Sequence, residues 1–337
     1  MFTHIRHILE MIRFSHTLFA LPFALLAALM AWRVNGADFQ FRWMLADSTI
    51  PDAAPQVSIF EIKRLEHDFR RPMPKGLSVR WQEVVGILLC MVTGRSAAMA
   101  LNRLADREFD ALNPRTAGRH LPTGTLSATS VAGFATATSV TFVASTLVLL
   151  PNRLPLYLSI PTLLILFGYS YSKRFTWLSH FWLGGALGLA PVFAWIAIRG
   201  EIVTVNPWDL LPVVVLGGAV KLWVAGFDII YACQDVEFDR AHGLHSMPAR
   251  FGVKTALGIA AACHFGMLVL LALVPLVYPL MIGWIWWAGV VAIAALLVYE
   301  HGLVKPDDLA RVNVAFFNVN TIVSIGLLAV GTIAILV

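Results

Sequence analysis

Thr255–Tyr299, TALGIAAACHFGMLVLLALVPLVYPLMIGWIWWAGVVAIAALLVY, is the stretch that decides the fold: 45 residues without one Asp, Glu, Lys or Arg. A helix needs about 20 apolar residues to cross the hydrocarbon core of a bilayer, so this run is long enough to cross twice. Pro275 and Pro279 stand in its middle, where a chain that turns back must interrupt its helix. The stretch reads as a helical hairpin in a membrane.

The same lack of charge recurs on either side. Phe14–Trp32, His120–Asn152, Leu154–Ser172, Phe175–Ile198 and Val312–Val337 carry no Asp, Glu, Lys or Arg. Two further spans, roughly 84–101 and 207–230, are interrupted by Arg95 and by Asp209, Lys221 and Asp228. Together these predict about nine transmembrane helices in one all-α membrane domain covering residues 1–337. Composition agrees: 58% of residues are hydrophobic, 13% are charged and the mean hydropathy is +0.74, whereas about a quarter of a soluble domain is charged. A soluble enzyme is excluded. With 25 basic and 20 acidic residues, the chain is neither a polyelectrolyte nor a nucleic-acid binder. The first span lacks a small-residue cleavage site and is followed by others, so it is expected to be retained.

Lys and Arg collect on one side of the predicted topology, among them Arg6, Arg103, Arg107, Arg115, Arg119, Lys173, Arg174, Arg240 and Arg250. The short loops of the other side hold only Arg33, Arg153 and Arg199, so the first side is expected to be cytoplasmic. Residues 35–80, between the first and second spans, form an outer-side insertion with seven basic and six acidic residues. Ser58 and Glu61 there have capping-box spacing, and Ile59, Ile62, Leu65 and Phe69 recur at helical spacing before Pro72. A short amphipathic helix is expected, an irregular loop being the alternative. Cys90, Cys233 and Cys263 are scattered and read as small apolar residues. His242 and His245 lack a third soft ligand and read as a loop pair near a functional site.

Two charged segments interrupt this apolar background. Asn102, Asp106 and Asp110 recur at intervals of four after the second span, and Tyr231, Asp235 and Asp239 do so after the sixth. On a helix each set lies on one face. For either segment alone, a solvated face is an equal reading. An even number of crossings separates them, however, so both fall on one side, and the repeated spacing favours a shared site. Four carboxylates together repel and raise one another's pKa values. Two magnesium ions would resolve the conflict, since magnesium takes one or two carboxylates plus substrate phosphates. The substrate this implies is a diphosphate. Arg115, Arg119, Lys173 and Arg174 fall on the same side and suit phosphate, although the charge bias of the loops explains any one of them equally well.

With these residues assembled, the chain resembles the UbiA superfamily of intramembrane prenyltransferases. The resemblance rests on a nine-helix bundle, the two aspartate-rich segments, and a Tyr-x-x-x-Lys loop motif matched by Tyr169 and Lys173. The strings FSHTLFALPFALL, NRLADREFDALNPRT and GFDIIYACQDVEFDRAHGLHS look most like the 4-hydroxybenzoate polyprenyltransferase-like branch, part of which serves menaquinone formation by the futalosine route. The resemblance implies that Asp106 and Asp110 hold one magnesium and Asp235 and Asp239 another. It implies that Tyr169, Lys173, Arg115 and Arg119 hold the diphosphate, with Asn102, Arg103, Tyr231 and Gln234 of the two segments as further substrate-binding candidates. It also implies a polyprenyl diphosphate donor, an aromatic acceptor and a site opening on the cytoplasmic side of a bacterial inner membrane.

The remaining intramembrane polar residues are weighed on their own spacing. Arg95, two turns before Asn102, is a candidate for the acceptor's carboxylate, and Asp228 for accepting the ring proton. Lys221 precedes Asp228 by seven residues and could form an ion pair with it or serve the substrate. His16 stands beside Arg13 where relatives tend to carry Arg and Lys. Trp284, Trp286 and Trp287 suggest an interfacial belt. A CDP-alcohol phosphotransferase is disfavoured by missing Asp-Gly and Ala-Arg elements between Asp106 and Arg119. A cation-coupled transporter is disfavoured because both segments cluster at the cytoplasmic ends of their spans and not at midplane.

Overall fold

The computed structural model describes residues 2–12, 19–46 and 76–337. Arg13, His16 and the expected amphipathic helix around Ser58–Phe69 lie outside the described residues. A short helix α1 (Phe2–Met11) precedes α2 (Leu21–Ala46), which continues past Asn35 into the expected insertion. There follow α3 (Trp81–Ala105), α4 (Arg107–Leu112), α5 (Ala128–Ser145), α6 (Leu154–Ser172) and α7 (Ser179–Val205). The second half comprises α8 (Leu211–Ala232), α9 (Val236–Ala241), α10 (Met247–Phe251), α11 (Val253–Val277), α12 (Trp284–Leu303) and α13 (Asn320–Leu336). Among the described residues, eight helical units are long and apolar enough to cross a membrane, and α2 adds a shorter apolar stretch at Leu21–Gly36. The predicted hairpin is α11–α12, turning at Pro279–Met281.

Membrane helices gain little from apolar contact with one another, because lipid is equally apolar; close backbone approach holds them instead. Gly184 and Gly188 on α7 face α8. A methyl group at Gly188 would lie 2.5 Å from the carbonyl oxygen of Gly217, and one at Gly217 would lie equally close to that of Gly188. Glycine at both is what lets α7 and α8 cross so tightly. Trp286 departs from the expected interfacial belt: Trp284 and Trp287 are exposed, but Trp286 is buried and donates to Leu271 O at 3.1 Å.

The end of the bundle away from the aspartate segments is closed by a buried ion pair. Arg199, expected in a loop, is inside α7 at a kink with φ −117° and ψ 19°. Its guanidinium grips Asp209 in a fork, Nε to Oδ2 at 2.9 Å and Nη2 to Oδ1 at 2.7 Å, while Trp195 Nε1 donates to Asp209 Oδ2 at 2.8 Å. Asn152 Nδ2 donates to Ile196 O at 2.7 Å beside the kink. Arg33, also expected in a loop, is buried in α2. Removing one partner of a buried pair strands the other charge, at a cost of roughly 3–5 kcal/mol. Arg199→Met is therefore expected to lower the melting temperature of the detergent-solubilised protein sharply, and Arg199→Met/Asp209→Leu to recover part of the loss. A single variant that melts like the wild type would refute this.

Candidate active site

At the opposite end, both aspartate segments bend at their first aspartate. The helix breaks at Asp106 (φ −92°, ψ 4°) between α3 and α4, and again at Asp235 (φ −104°, ψ 7°) between α8 and α9. This sparsely allowed bridge region is one that functional residues often occupy. The continuous helical faces read from the spacing are thus each divided between the end of a long helix and a short one. Asp110 N still bonds Asp106 O at 2.7 Å across the first break.

These pieces enclose a cavity of about 270 Å³ lined by Asp106, Asp110, Asp228, Asp235, Asp239 and Lys173 together with Arg103, Arg115, Arg119 and Arg174. Each carboxylate has a different neighbour. Asp106 Oδ2 accepts from Asn102 Nδ2 at 3.0 Å, and Arg174 lies 3.9 Å from its other oxygen. Asp110 takes Arg119 Nη1 on both oxygens at 2.6 and 2.7 Å, with Arg103 at 3.8 Å. Asp235 is gripped by the Arg115 fork, including Nε to Oδ1 at 2.8 Å, and accepts from Asn113 Nδ2 at 3.1 Å. Asp239 is 2% exposed, and its Oδ2 is buried without a hydrogen-bond partner. A buried carboxylate oxygen without a hydrogen bond is costly, and Lys173 is the cation that faces it.

Electrostatics outside the spans agree. Burial, and then the charge of Asp110, push the Asp106 carboxyl above its usual range, against the pull of Lys173, Arg174 and Arg103. Burial alone would lower Lys173, but Asp239, Asp228, Asp235 and Asp106 outweigh it and raise it above the usual lysine range. Burial opposes the charge of Arg115 as well, and the hydrogen bonds and charge of Asp235 outweigh it.

Several of the candidates lie together. Tyr231 OH accepts from Arg115 Nη1 at 2.8 Å, and Tyr169, Arg95 and Asn102 line the cavity wall. Gln234 does not join them; its amide bonds Tyr231 O at 3.3 Å and it does not line the cavity. Lys221 is exposed, and the partner of Asp228 is His180, whose Nδ1 lies 2.6 Å from Asp228 Oδ2. Met247 N–H donates to His180 Nε2 at 3.4 Å, which leaves the ring proton on Nδ1, pointing at Asp228. His242 stacks on Phe238, and His245 N bonds Lys173 O at 2.7 Å, steadying the loop that carries the lysine. Sequence reasoning missed Asn113 and His180. Asn113 adjoins the first segment, and His180 is a polar residue inside an otherwise uncharged span.

Arg95, Met99, Asn102, Tyr169, Leu183 and Leu187 also line a second cavity of about 200 Å³, which runs between α3, α5, α6 and α7 among apolar side chains. Arg95 stands at the junction, its Nε buried without a partner. A charged chamber thus adjoins an apolar one across a shared wall. Such a pair of chambers suits an amphiphile with an anionic head and a hydrocarbon tail.

Comparison with known proteins gives the same direction. The chain is 34% identical over 222 residues to the 4-hydroxybenzoate octaprenyltransferase of Alcanivorax borkumensis, covering 66% of this chain and 72% of that one. It is 30% identical over 253 residues to the protein of the same name from Vibrio campbellii, covering 74% and 84%. The apo structure of a UbiA homologue from Aeropyrum pernix K1 superposes with a TM-score of 0.71 at 30% identity, over 95% and 97% of the two chains. A UbiA homologue from Archaeoglobus fulgidus bound to DMAPP and Mg2+ shares the fold, with a TM-score of 0.62 at 18% identity over 97% and 98%. The UbiA prenyltransferase family model matches residues 73–322, which hold both aspartate segments and every helix between them, and the chain belongs to that family.

Proposed function

We propose that this prenyltransferase moves a polyprenyl group from its diphosphate to the ring of 4-hydroxybenzoate or a related aromatic acid, in respiratory quinone biosynthesis. The observation that carries the proposal is the charged chamber between the two aspartate segments, which shares a wall with the apolar one. The names of the relatives from Alcanivorax borkumensis and Vibrio campbellii support the acceptor.

The donor set fits magnesium. Each segment offers two carboxylates, and magnesium would take them together with phosphate oxygens; Arg119 and Arg115 hold Asp110 and Asp235 here, and Asp239 Oδ2 has no hydrogen bond. Asp106 and Asp110 would hold one ion and Asp235 and Asp239 the second; a homologue of the same fold was solved with DMAPP and Mg2+. Bound there, magnesium supplies charge neutralisation for the diphosphate leaving group. Lys173, Arg115 and Arg119 bind the diphosphate oxygens, and Tyr169 flanks them. The allylic carbon–oxygen bond ionises with its electron pair departing on diphosphate, and the acceptor ring supplies a pair to the carbon. The apolar chamber accommodates the tail and excludes water. Asp228, which accepts from the His180 Nδ1–H, is assigned to take the ring proton. The positive bias of the loops supports a cytoplasmic opening in an inner membrane.

Arg95 at the junction is assigned to the acceptor's carboxylate. A hydrogen bond to a charged group contributes about 1.5–3 kcal/mol, so Arg95→Gln is expected to raise the acceptor KM by about ten- to a hundredfold and to leave the KM for diphosphate nearly unchanged. An unchanged acceptor KM would remove the assignment. The function itself is tested by incubating membranes bearing the purified protein with labelled polyprenyl diphosphates and a panel of aromatic acids. Hydrolysis without transfer to any of them would overturn it.

A further inference from the structure

Behind the Tyr231 wall of the charged chamber lies a polar cluster that the proposed chemistry does not use. Glu300 near the end of α12, Asn320 at the start of α13 and Trp223 in α8 are fully buried. Asn320 Nδ2 donates to Glu300 Oε1 at 3.0 Å, and Trp223 Nε1 donates to Asn320 Oδ1 at 2.7 Å. A carboxyl and an amide among apolar helices are costly, so their arrangement calls for a reason.

The reason lies in the adjacent backbone. Ala315–Val319 form a π-helical turn. Such a turn carries one residue more than an α-turn, shifts the backbone ladder and leaves carbonyl oxygens in need of donors. The Asn320 amide also reaches Ala315 O at 3.3 Å and Phe316 O at 3.1 Å, and Thr321 Oγ1 donates to Phe317 O at 2.6 Å. One amide, anchored by Glu300 and Trp223, therefore ties the widened turn to its neighbours. The side chains that the turn presents are Phe316 and Phe317, and both line the charged chamber. The Phe316 ring lies 4.3 Å from that of Tyr231 and 5.2 Å from that of Phe227, with Phe317 4.7 Å away. Tyr231 in turn bonds Arg115, which grips Asp235.

We infer that Glu300 and Asn320 are positioning residues for the transfer: by holding the π-helical turn they set Phe316 and Phe317 against the reacting end of the chamber, where the two rings exclude water from the ionised allylic carbon. The inference rests on the prenyl-transfer reading above. Once the carbon–oxygen bond has broken, the cation has two fates. The acceptor ring supplies an electron pair and later loses its proton, giving prenylated acid, or water supplies the pair and loses a proton, giving prenyl alcohol. Aromatic faces stabilise a cation and displace water, so their placement favours the first fate.

The test measures that partition. Wild type, Glu300→Ala, Asn320→Ala and Glu300→Gln are incubated with labelled geranyl diphosphate and 4-hydroxybenzoate, and prenylated acid is counted against geraniol after subtracting spontaneous hydrolysis. The ratio does not depend on the fraction of folded enzyme. It is expected to fall about tenfold in Glu300→Ala and Asn320→Ala, a shift of roughly 1.4 kcal/mol between two barriers. Glu300→Gln keeps the Oε1 acceptor and is expected to stay within about twofold of wild type. Should the alanine variants fail to fold, Thr321→Val removes only the donation to Phe317 O and is expected to lower the ratio in the same direction. Wild-type ratios in the alanine variants, or in Thr321→Val where those do not fold, overturn the inference. A wild-type enzyme that releases geraniol and prenylates nothing overturns the reading of function instead.

Discussion

Asp106→Asn and Asp235→Asn are each expected to lower prenyl transfer by at least about 10³-fold, about 4 kcal/mol of barrier, while leaving a folded protein in the membrane. The asparagine retains the shape of the side chain and an acceptor oxygen, so the Asn102 contact to position 106 and the Asn113 contact to position 235 can persist. What is lost is one negative charge from each segment. Both residues stand at helix breaks that turn their carboxylates into the cavity, which separates their role from that of a solvated surface pair. The measurement is transfer rate against magnesium concentration, with gel filtration in detergent to verify the fold. Wild-type turnover at any magnesium level in either variant would sink the metal-holding role.

Lys173→Met is expected to cost about 10²–10³ in kcat, the scale seen when one preorganised donor to a developing anion is deleted. Lys173 faces Asp239, Asp228, Asp235 and Asp106, and its cationic form is favoured by all four. One charge therefore faces both carboxylate pairs, and under the proposed function an incoming diphosphate would share it. Lys173→Arg is not expected to restore the rate, because a planar fork cannot occupy the place of a compact ammonium. Steady-state kinetics separate the possibilities. A raised KM for diphosphate with unchanged kcat would assign the residue to ground-state binding and contradict its role in stabilising the leaving group.

Much of the fold could be read from the sequence, because charge is scarce in this chain and each gap between charges has the length of a bilayer crossing. The spacing of four within Asn102–Asp110 and Tyr231–Asp239 likewise picks out carboxylates that line one cavity. The failures share a cause. Asp228 was read against Lys221, its neighbour on the same helix, but its partner His180 comes from α7, 48 positions away. Arg33 and Arg199 were counted as loop cations because a positive charge at the end of an apolar run looks like a boundary; in α7 the cost of burial is offset by Asp209, supplied from the next segment. Gln234 shared a segment with true cavity residues, and the break at Asp235 turned it aside. The π-helical turn at Ala315–Val319 has no periodic signature, and nothing local sets Asn320 apart from Asn313 and Asn318 in the same uncharged run. Local period identifies faces, and pairings between helices lie beyond it.

The grip of Arg115 on Asp235 carries a consequence for how the protein is made. The two residues are separated by 120 positions. At about 5–20 residues per second, Arg115 leaves the ribosome roughly six to 24 seconds before its partner exists. During that interval the first four helical pieces must tolerate a guanidinium without its carboxylate, which is easiest while it stays in the headgroup layer. Arrival of the α8–α9 segment then joins the early and late halves through one charge pair. The chamber is finished only when Phe316 and Phe317, made later still, come to line it.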